Sequence, residues 1–523
     1  MGPVAAQLTD DVLVAPETHL GPALTLVVLA AGTGSMTAEI AGARLLQPFF
    51  GSSSIVWANV IGLVLGALAL GYWLGGRLAD RRPSRRLLGS ILVCAAVLVA
   101  AIPFVEKPLL EWGADALDTY SAGEAVGSFV AALVLFAPPA VLLGMVPPFV
   151  IRLGVHDVRE SGGIAGRVFA LSTAGSLAGT FLPALVAIPL VGTQRTLLCA
   201  ALVIASATPL LLGRVAFVLV LAIAALLAVP PGLVRPGDIV FEGESRYQYV
   251  RVVEEEDGPR KLFLNEGIAI HSLWRADTVL TGGEWDMFLV LPPLLERPVR
   301  QIAILGNAGG TTGRAYGVFF SGARIDGVEL DPVVSDVGRR YLGLGDNPNL
   351  RVVTRDARPF LRRIDKRYDL ILIDTYRQPY VPFYLATREF FELVRDRLAP
   401  GGIVALNAAT VPDDTRLADE IAGTAATVFP QVLQWQALRL NQLIVGLETP
   451  KAPDDLERAA EQLPERIRVL GGLFASDAKP AKPSKDPWTD DRAPVEWVTD
   501  RMILSYAVRG GTASQELLPT APR

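Results

Sequence analysis

The 523 residues are enough for about three or four domains of roughly 150 residues, and 51% hydrophobic content with a mean hydropathy of +0.38 is too apolar for an ordinary soluble chain. Lys and Arg number 48 against 53 Asp and Glu, a formal charge of −5 without the basic excess that holds nucleic acid, so no nucleic-acid partner is expected. Cys94 and Cys199 both sit inside apolar runs, and His19, His156 and His271 are scattered. That pattern writes no disulfide framework and leaves little room for a metal site or a Ser/His/Asp triad, so no metal is expected.

In chain order, residues 1–22 form a polar tail with Asp10, Asp11 and Glu17 and no basic flank, unlike a cleavable signal. Residues 23–233 read as an α-helical transmembrane domain embedded in a lipid bilayer. Crossing the hydrocarbon takes about 20 apolar residues, and about seven runs qualify: 24–45, 56–74, 87–104, 126–151, 164–190, 197–212 and 215–229. The fourth contains Pro138, Pro139, Pro147 and Pro148, and only Gly213 and Arg214 separate the last two, so the count is open by one.

Arg77, Arg81, Arg82, Arg85 and Arg86 follow the second run, and Arg152, Arg159 and Arg167 follow the fourth, which marks both loops as cytoplasmic. The acidic loop with Glu106, Glu111, Asp115, Asp118 and Glu124 reads as external. Seven helices then deliver the rest of the chain outside the cytoplasmic membrane, whereas the supply of a nucleotide-like cofactor favours the cytoplasm. The loop from Gly75 to Arg82 resembles the second-to-third-helix loop of major facilitator transporters, and also suits a turn that only fixes topology. Glu39 and Arg44 lie in the first run, where an ionisable group costs about 3 kcal/mol on insertion scales. They are either a membrane site or a structural pair.

Beyond 233 the chain becomes an ordinary soluble mixture. Residues 234–292 read as a small β-rich domain on the substrate side, 293–450 as a Rossmann-like nucleoside-binding domain, and 451–523 as a C-terminal helix and flexible tail. The basis is an alternation of short apolar runs, at 301–305, 324–330, 350–354, 368–373 and 402–406, with helical stretches, and a closing pair at 434–438 and 442–447. Ligands of such sheets bind at the carboxyl ends of the strands. Gly306, Gly309 and Gly310 follow the first strand, letting a ligand approach the backbone. Glu329 ends the second, where an acid accepts both hydroxyls of a ribose. Asp356, followed by Ala357, could accept from an adenine amino group. Asp374 ends the fourth strand beside Tyr376, suited to proton transfer or to holding a cation.

These residues carry a resemblance. The motifs Glu244-Ser245-Arg246-Tyr247-Gln248, Leu264-Asn265-Glu266-Gly267, Ile304 to Gly310, Gly327 to Asp331, Asp356-Ala357 and Asp374-Thr375-Tyr376 occur in the order found in spermidine synthases, the polyamine aminopropyltransferases. The whole chain, including Thr489 to Glu496, looks like membrane-fused relatives with an N-terminal helix bundle. The resemblance implies decarboxylated S-adenosylmethionine as co-substrate, an amine or polyamine as acceptor, and room for a homodimer. It implies Asp374 as the catalytic acid with Tyr376 beside it, Glu329 on the ribose, Asp356 on the adenine, and Tyr247 and Gln248 on the substrate side.

The sequence also departs from the family. Gly309 replaces an acid of the glycine loop, Arg377 replaces the second acid of the Asp374 motif, and Trp285-Asp286-Met287 stands where the family has Tyr-His-Glu. Trp285 and Arg377 therefore join the substrate-side residues, with Arg377 expected to repel a diamine. Besides an aminopropyltransferase-like enzyme, two readings stay open: an S-adenosylmethionine-dependent methyltransferase, and a transporter or sensor with a non-catalytic synthase-like module.

Overall fold

The computed structural model describes residues 20–50, 54–118, 123–229, 238–255, 258–265, 269–376, 380–508 and 518. The apolar first half folds into helices, which satisfy their own backbone polar groups. These begin with α1 (Pro22–Phe50), α2 (Ser54–Arg81) and α3 (Arg85–Asp118). The fourth run, read as one helix, is three: α4 (Gly123–Leu135), α5 (Ala137–Gly144) and α6 (Val146–Gly154). The breaks come just ahead of the two proline pairs, since proline lacks an N–H and its ring crowds the carbonyl four residues back. Then follow α7 (Ser161–Leu182), a π-helical stretch Pro183–Ala187, α8 (Ile188–Ser206), α9 (Pro209–Leu212) and α10 (Phe217–Leu226). Gly192, inside α8, has φ +81°, a left-handed conformation that glycine adopts without penalty, and the helix breaks there.

Among the described residues five helices are long and apolar enough to cross a membrane: Pro22–Leu46, Trp57–Arg81, Arg85–Glu106, Ala137–Gly154 and Ser161–Leu212, with Arg214–Leu226 a shorter apolar helix. Two of the seven expected runs, 164–190 and 197–212, share the last of the five. The segment from Gly75 to Arg82, expected as a loop, is instead helical as far as Arg81, because nothing in it resists a helix until Pro83 stops it.

Close packing at small residues fixes the helix directions. Along α1, Gly32 faces Ser172 and Gly34 faces Ile204, while Thr37 donates to Gly179 O at 3.4 Å. Contacts with α7 therefore climb together with α1, and those with α8 run back, from Thr193 near the end of α1 to Ile204 near its middle. The start of α1 and the ends of α2 and α6 gather at one end, where Gly154 meets Leu20 and Arg152 lies 3.5 Å from Asp80. At the other end late α1, late α3 and the middle of α8 meet the soluble half: Gln194 donates to Glu106 at 2.7 Å, and Thr193 to Glu244 at 2.6 Å. The arginine-rich turns and the soluble half thus occupy opposite ends of the bundle.

In the soluble half, β1 (Ile239–Glu244), β2 (Tyr249–Glu254), β3 (Arg260–Leu264) and β4 (Ile270–Trp274) form an antiparallel sheet in that order. A larger sheet has the order β12-β10-β11-β9-β8-β5-β6-β7. Its parallel strands are β5 (Gln301–Leu305), β6 (Arg324–Glu329), β7 (Leu350–Thr354), β8 (Tyr368–Ile373) and β9 (Leu398–Ala409). Between them run α11 (Thr311–Phe319), α12 (Pro332–Tyr341), α13 (Ala357–Arg363) and α14 (Arg388–Arg397). After α15 (Arg416–Ala425) come the antiparallel strands β10 (Gln431–Leu438) and β11 (Asn441–Leu447), then α16 (Pro453–Glu461), α17 (Glu465–Asp477), β12 (Lys479–Pro480) and α18 (Val495–Val508). This is a Rossmann-type α/β domain. The chain order reverses at β5, between β6 and β8, the point at whose strand tips sheets of this kind bind their ligands.

Candidate active site

The turn after β5 is tight because two consecutive amides, Gly306 N and Asn307 N, both donate to Val328 O, at 2.9 and 3.0 Å. Gly306 has φ +86°, and a Cβ there would press on the backbone of Asp374 and Thr375, so only glycine lets β5 and β8 end side by side. The turn brings Ala308 N to Glu329 Oε2 at 2.9 Å, while Asp331 N donates to Glu329 Oε1, also at 2.9 Å. Burial pushes the Glu329 carboxyl up to about 7, against the pull of these two N–H bonds. Each oxygen keeps a lone pair that can accept a further hydrogen bond.

Asp374 follows β8, and its Oδ1 accepts from Asn407 Nδ2 at 3.0 Å. Asn407 is held in turn by Asn441 at 3.1 Å and, through its carbonyl, by the Tyr376 hydroxyl at 3.0 Å. Burial pushes the Asp374 carboxyl up to about 6. Tyr376 is raised well above its ordinary value, first by burial and then by the negative charges of Asp374 and Glu284, so it remains a neutral donor that fixes Asn407. The sequence reading missed Glu284. Burial first, and the charge of Asp374 second, push its carboxyl up to about 8. Its only signal in the sequence was adjacency to Trp285-Asp286-Met287.

Asp286 is fully buried and accepts from Thr281 N at 3.1 Å and Gly282 N at 2.8 Å, so it fixes the loop that carries Glu284. Trp285 is 5% exposed, with its ring over Gly283. Gly309 N donates to Ser272 Oγ at 2.8 Å, and a side chain on Gly309 would run into Ser272 and Leu342, so the space of the family's acid is already filled. Gly310, at φ +91°, opens α11. Asp356 caps α13 through Arg358 N at 3.1 Å and accepts from Tyr384 at 3.0 Å, with Ala357 buried behind it. Tyr247 is exposed, Gln248 Nε2 donates to Asp331 at 3.3 Å, and Arg377 lies outside the described residues.

The two membrane candidates do not pair. Arg44 meets Glu244 at 3.6 Å, and Glu39 lines a small cavity with Ser35, Phe136 and Pro139. The tail motif returns to the domain: Asp490 takes Arg358 at 2.6 and 2.7 Å and Thr387 at 2.7 Å. Among the described residues no group of three or more His, Cys, Asp or Glu is arranged to hold a metal ion.

Comparison with known proteins finds relatives of part of the chain. A probable polyamine aminopropyl transferase of Bifidobacterium longum is 32% identical over 194 residues, covering 37% of this chain and 42% of the relative. A polyamine aminopropyltransferase of Vibrio vulnificus is 29% identical over 187 residues, 34% of this chain and 62% of the relative. The chain thus spans about half the length of these curated relatives. A spermidine synthase crystallised with the transition state analogue AdoDATO aligns at 19% identity with a TM-score of 0.37, over 45% of this chain and 84% of that one. Residues 286–439 match the family model described as the spermine/spermidine synthase domain, so the family seen in the motifs is supported across the core of the soluble half.

Proposed function

We propose that the chain is a membrane-anchored aminopropyltransferase of the spermidine synthase kind, moving an aminopropyl group from decarboxylated S-adenosylmethionine to an amine. The observation that carries this reading is Asp374: a carboxylate at a strand tip, oriented by Asn407 at 3.0 Å, its backbone packed against the Gly306 turn that leads to the Glu329-bound amide of Ala308. Glu329 holds the ribose and Asp356 the adenine side. Asp374 takes a proton from the incoming ammonium, so that its nitrogen lone pair attacks the methylene next to the sulfonium. A C–N bond forms, the C–S bond breaks, and the sulfur leaves with the electron pair as methylthioadenosine. Holding both partners in one site supplies most of the remaining effect. Glu284 adds the second acid that Gly309 and Arg377 do not supply.

The test is incubation of the full-length protein with labelled decarboxylated and ordinary S-adenosylmethionine and a panel of amines. Aminopropyl transfer abolished by Asp374→Asn supports the reading. Methyl transfer replaces it with the methyltransferase, and consumption of neither donor refutes transferase chemistry in favour of a transporter or sensor.

On this reading the bundle sits in the cytoplasmic membrane, which the five long apolar helices support. The arginine turns favour their own end as the cytoplasmic one, and hence the soluble half on the outside. Cofactor supply argues for the cytoplasm. A membrane-impermeant thiol reagent on Asp454→Cys in intact cells decides. Labelling without lysis supports the outside and excludes cytosolic polyamine synthesis, while labelling only after lysis supports the cytoplasm.

A further inference from the structure

Arg44 stands late in α1, and its side chain is only 16% exposed. Its Nη1 donates to Arg246 O at 3.1 Å, its Nη2 donates to Ser245 O, and its Nε lies 3.6 Å from Glu244 Oε2. The same Glu244 oxygen accepts from Thr193 N at 3.2 Å and Thr193 Oγ1 at 2.6 Å. Two helices of the bundle therefore grip the turn between β1 and β2. From the far side of that turn, Ser245 Oγ donates to Asp331 Oδ2 at 2.5 Å and Gln248 Nε2 reaches the same oxygen at 3.3 Å. Asp331 caps α12 through Val333 N at 3.0 Å, and its own N–H holds Glu329 Oε1 at 2.9 Å. Ser245 is 3% and Asp331 0% exposed, so a shift of the turn would leave buried polar groups unpaired.

We propose that Arg44 is a positioning residue for the nucleoside site, coupling the membrane bundle to Glu329 through the β1–β2 turn and Asp331. The inference rests on reading Glu329 as the ribose acid. Arginine suits the task because its planar fork serves two carbonyls and a carboxylate together, where lysine offers one point charge. Coupling of this kind is reciprocal: what moves the end of α1 changes nucleoside affinity, and a bound nucleoside tightens the junction.

The experiment is calorimetric titration of methylthioadenosine into the full-length protein in lipid nanodiscs. Arg44→Lys keeps the charge and loses the fork, and binding should weaken about five-fold or more. Ser245→Ala should weaken it similarly, and the double variant should be no worse than the worse single one, because both cut the same chain. Arg44→Met is the harsher cut, and if it does not fold, Arg44→Lys still carries the test. Wild-type affinity in Arg44→Lys, even with a lowered thermal midpoint, or losses that multiply in the double variant, overturns the proposal and leaves the nucleoside reading standing. A wild type that binds no methylthioadenosine overturns both.

Discussion

The two strand-tip acids of the proposed site are held differently. On the donor side both oxygens of Glu329 are met by backbone N–H groups, so the acid's position follows from the course of β5 and β6. On the proposed acceptor side Asp374 leans on a side chain, Asn407, and its charge adds to burial in raising the carboxyl of another acid, Glu284. Backbone-built geometry survives most substitutions around it, whereas a site assembled from side chains changes with each one. The glycine turn and Glu329 accordingly depend little on side chains, while the surroundings of Asp374 depend on Asn407, Tyr376 and Glu284.

The largest expected effect breaks the acceptor side alone. Asp374→Asn keeps the shape but cannot take the proton, so turnover should fall by about 10² to 10⁴, while calorimetric affinity for methylthioadenosine barely changes. Glu329→Ala is its counterpart on the donor side. Losing one or two charge-assisted hydrogen bonds of about 1.5 to 3 kcal/mol each should weaken methylthioadenosine binding at least ten-fold, and equal affinities would refute the ribose role.

Gly309→Asp sharpens the contrast, since it puts an acid into space already occupied by Ser272 and Leu342. Overpacking should cost about 1 to 3 kcal/mol, read as a lower thermal midpoint with no gain in activity toward a diamine.

The last effect is on pH dependence. Glu284 rises from 4.5 unfolded to about 8 folded, so between those values the native state holds the extra proton and stability falls as pH rises. Glu284→Gln should flatten the denaturation midpoint over that window. A rate limb near pH 6, where Asp374 titrates, should persist in the variant.

What could be read in the sequence follows the same division. The glycine loop, Glu329 and Asp374 stand at strand ends, and short apolar runs bounded by polar or glycine residues disclose strand ends. Glu284 could not be found this way, because the short 3-10 helix carrying it, Glu284–Val290, has no amphipathic period of its own, and the acid matters only once β8 brings Asp374 opposite. Arg44 invited pairing with Glu39 on its own helix. Its partner, Glu244, lies 200 residues on, and no local pattern connects them. Prolines in the fourth apolar run did announce its breaks, though not the short helices between them.

Gly192 carries a consequence of another kind. Ser161–Leu212 is 52 residues, which as one straight helix would measure about 78 Å, more than twice the hydrocarbon thickness of about 30 Å. On the proposed membrane reading, the break at that residue adds a crossing and so changes the face of the bilayer to which everything after it belongs. On that reading one glycine acts as a parity bit for the chain: without the turn there, the soluble half would be delivered to the other side of the membrane.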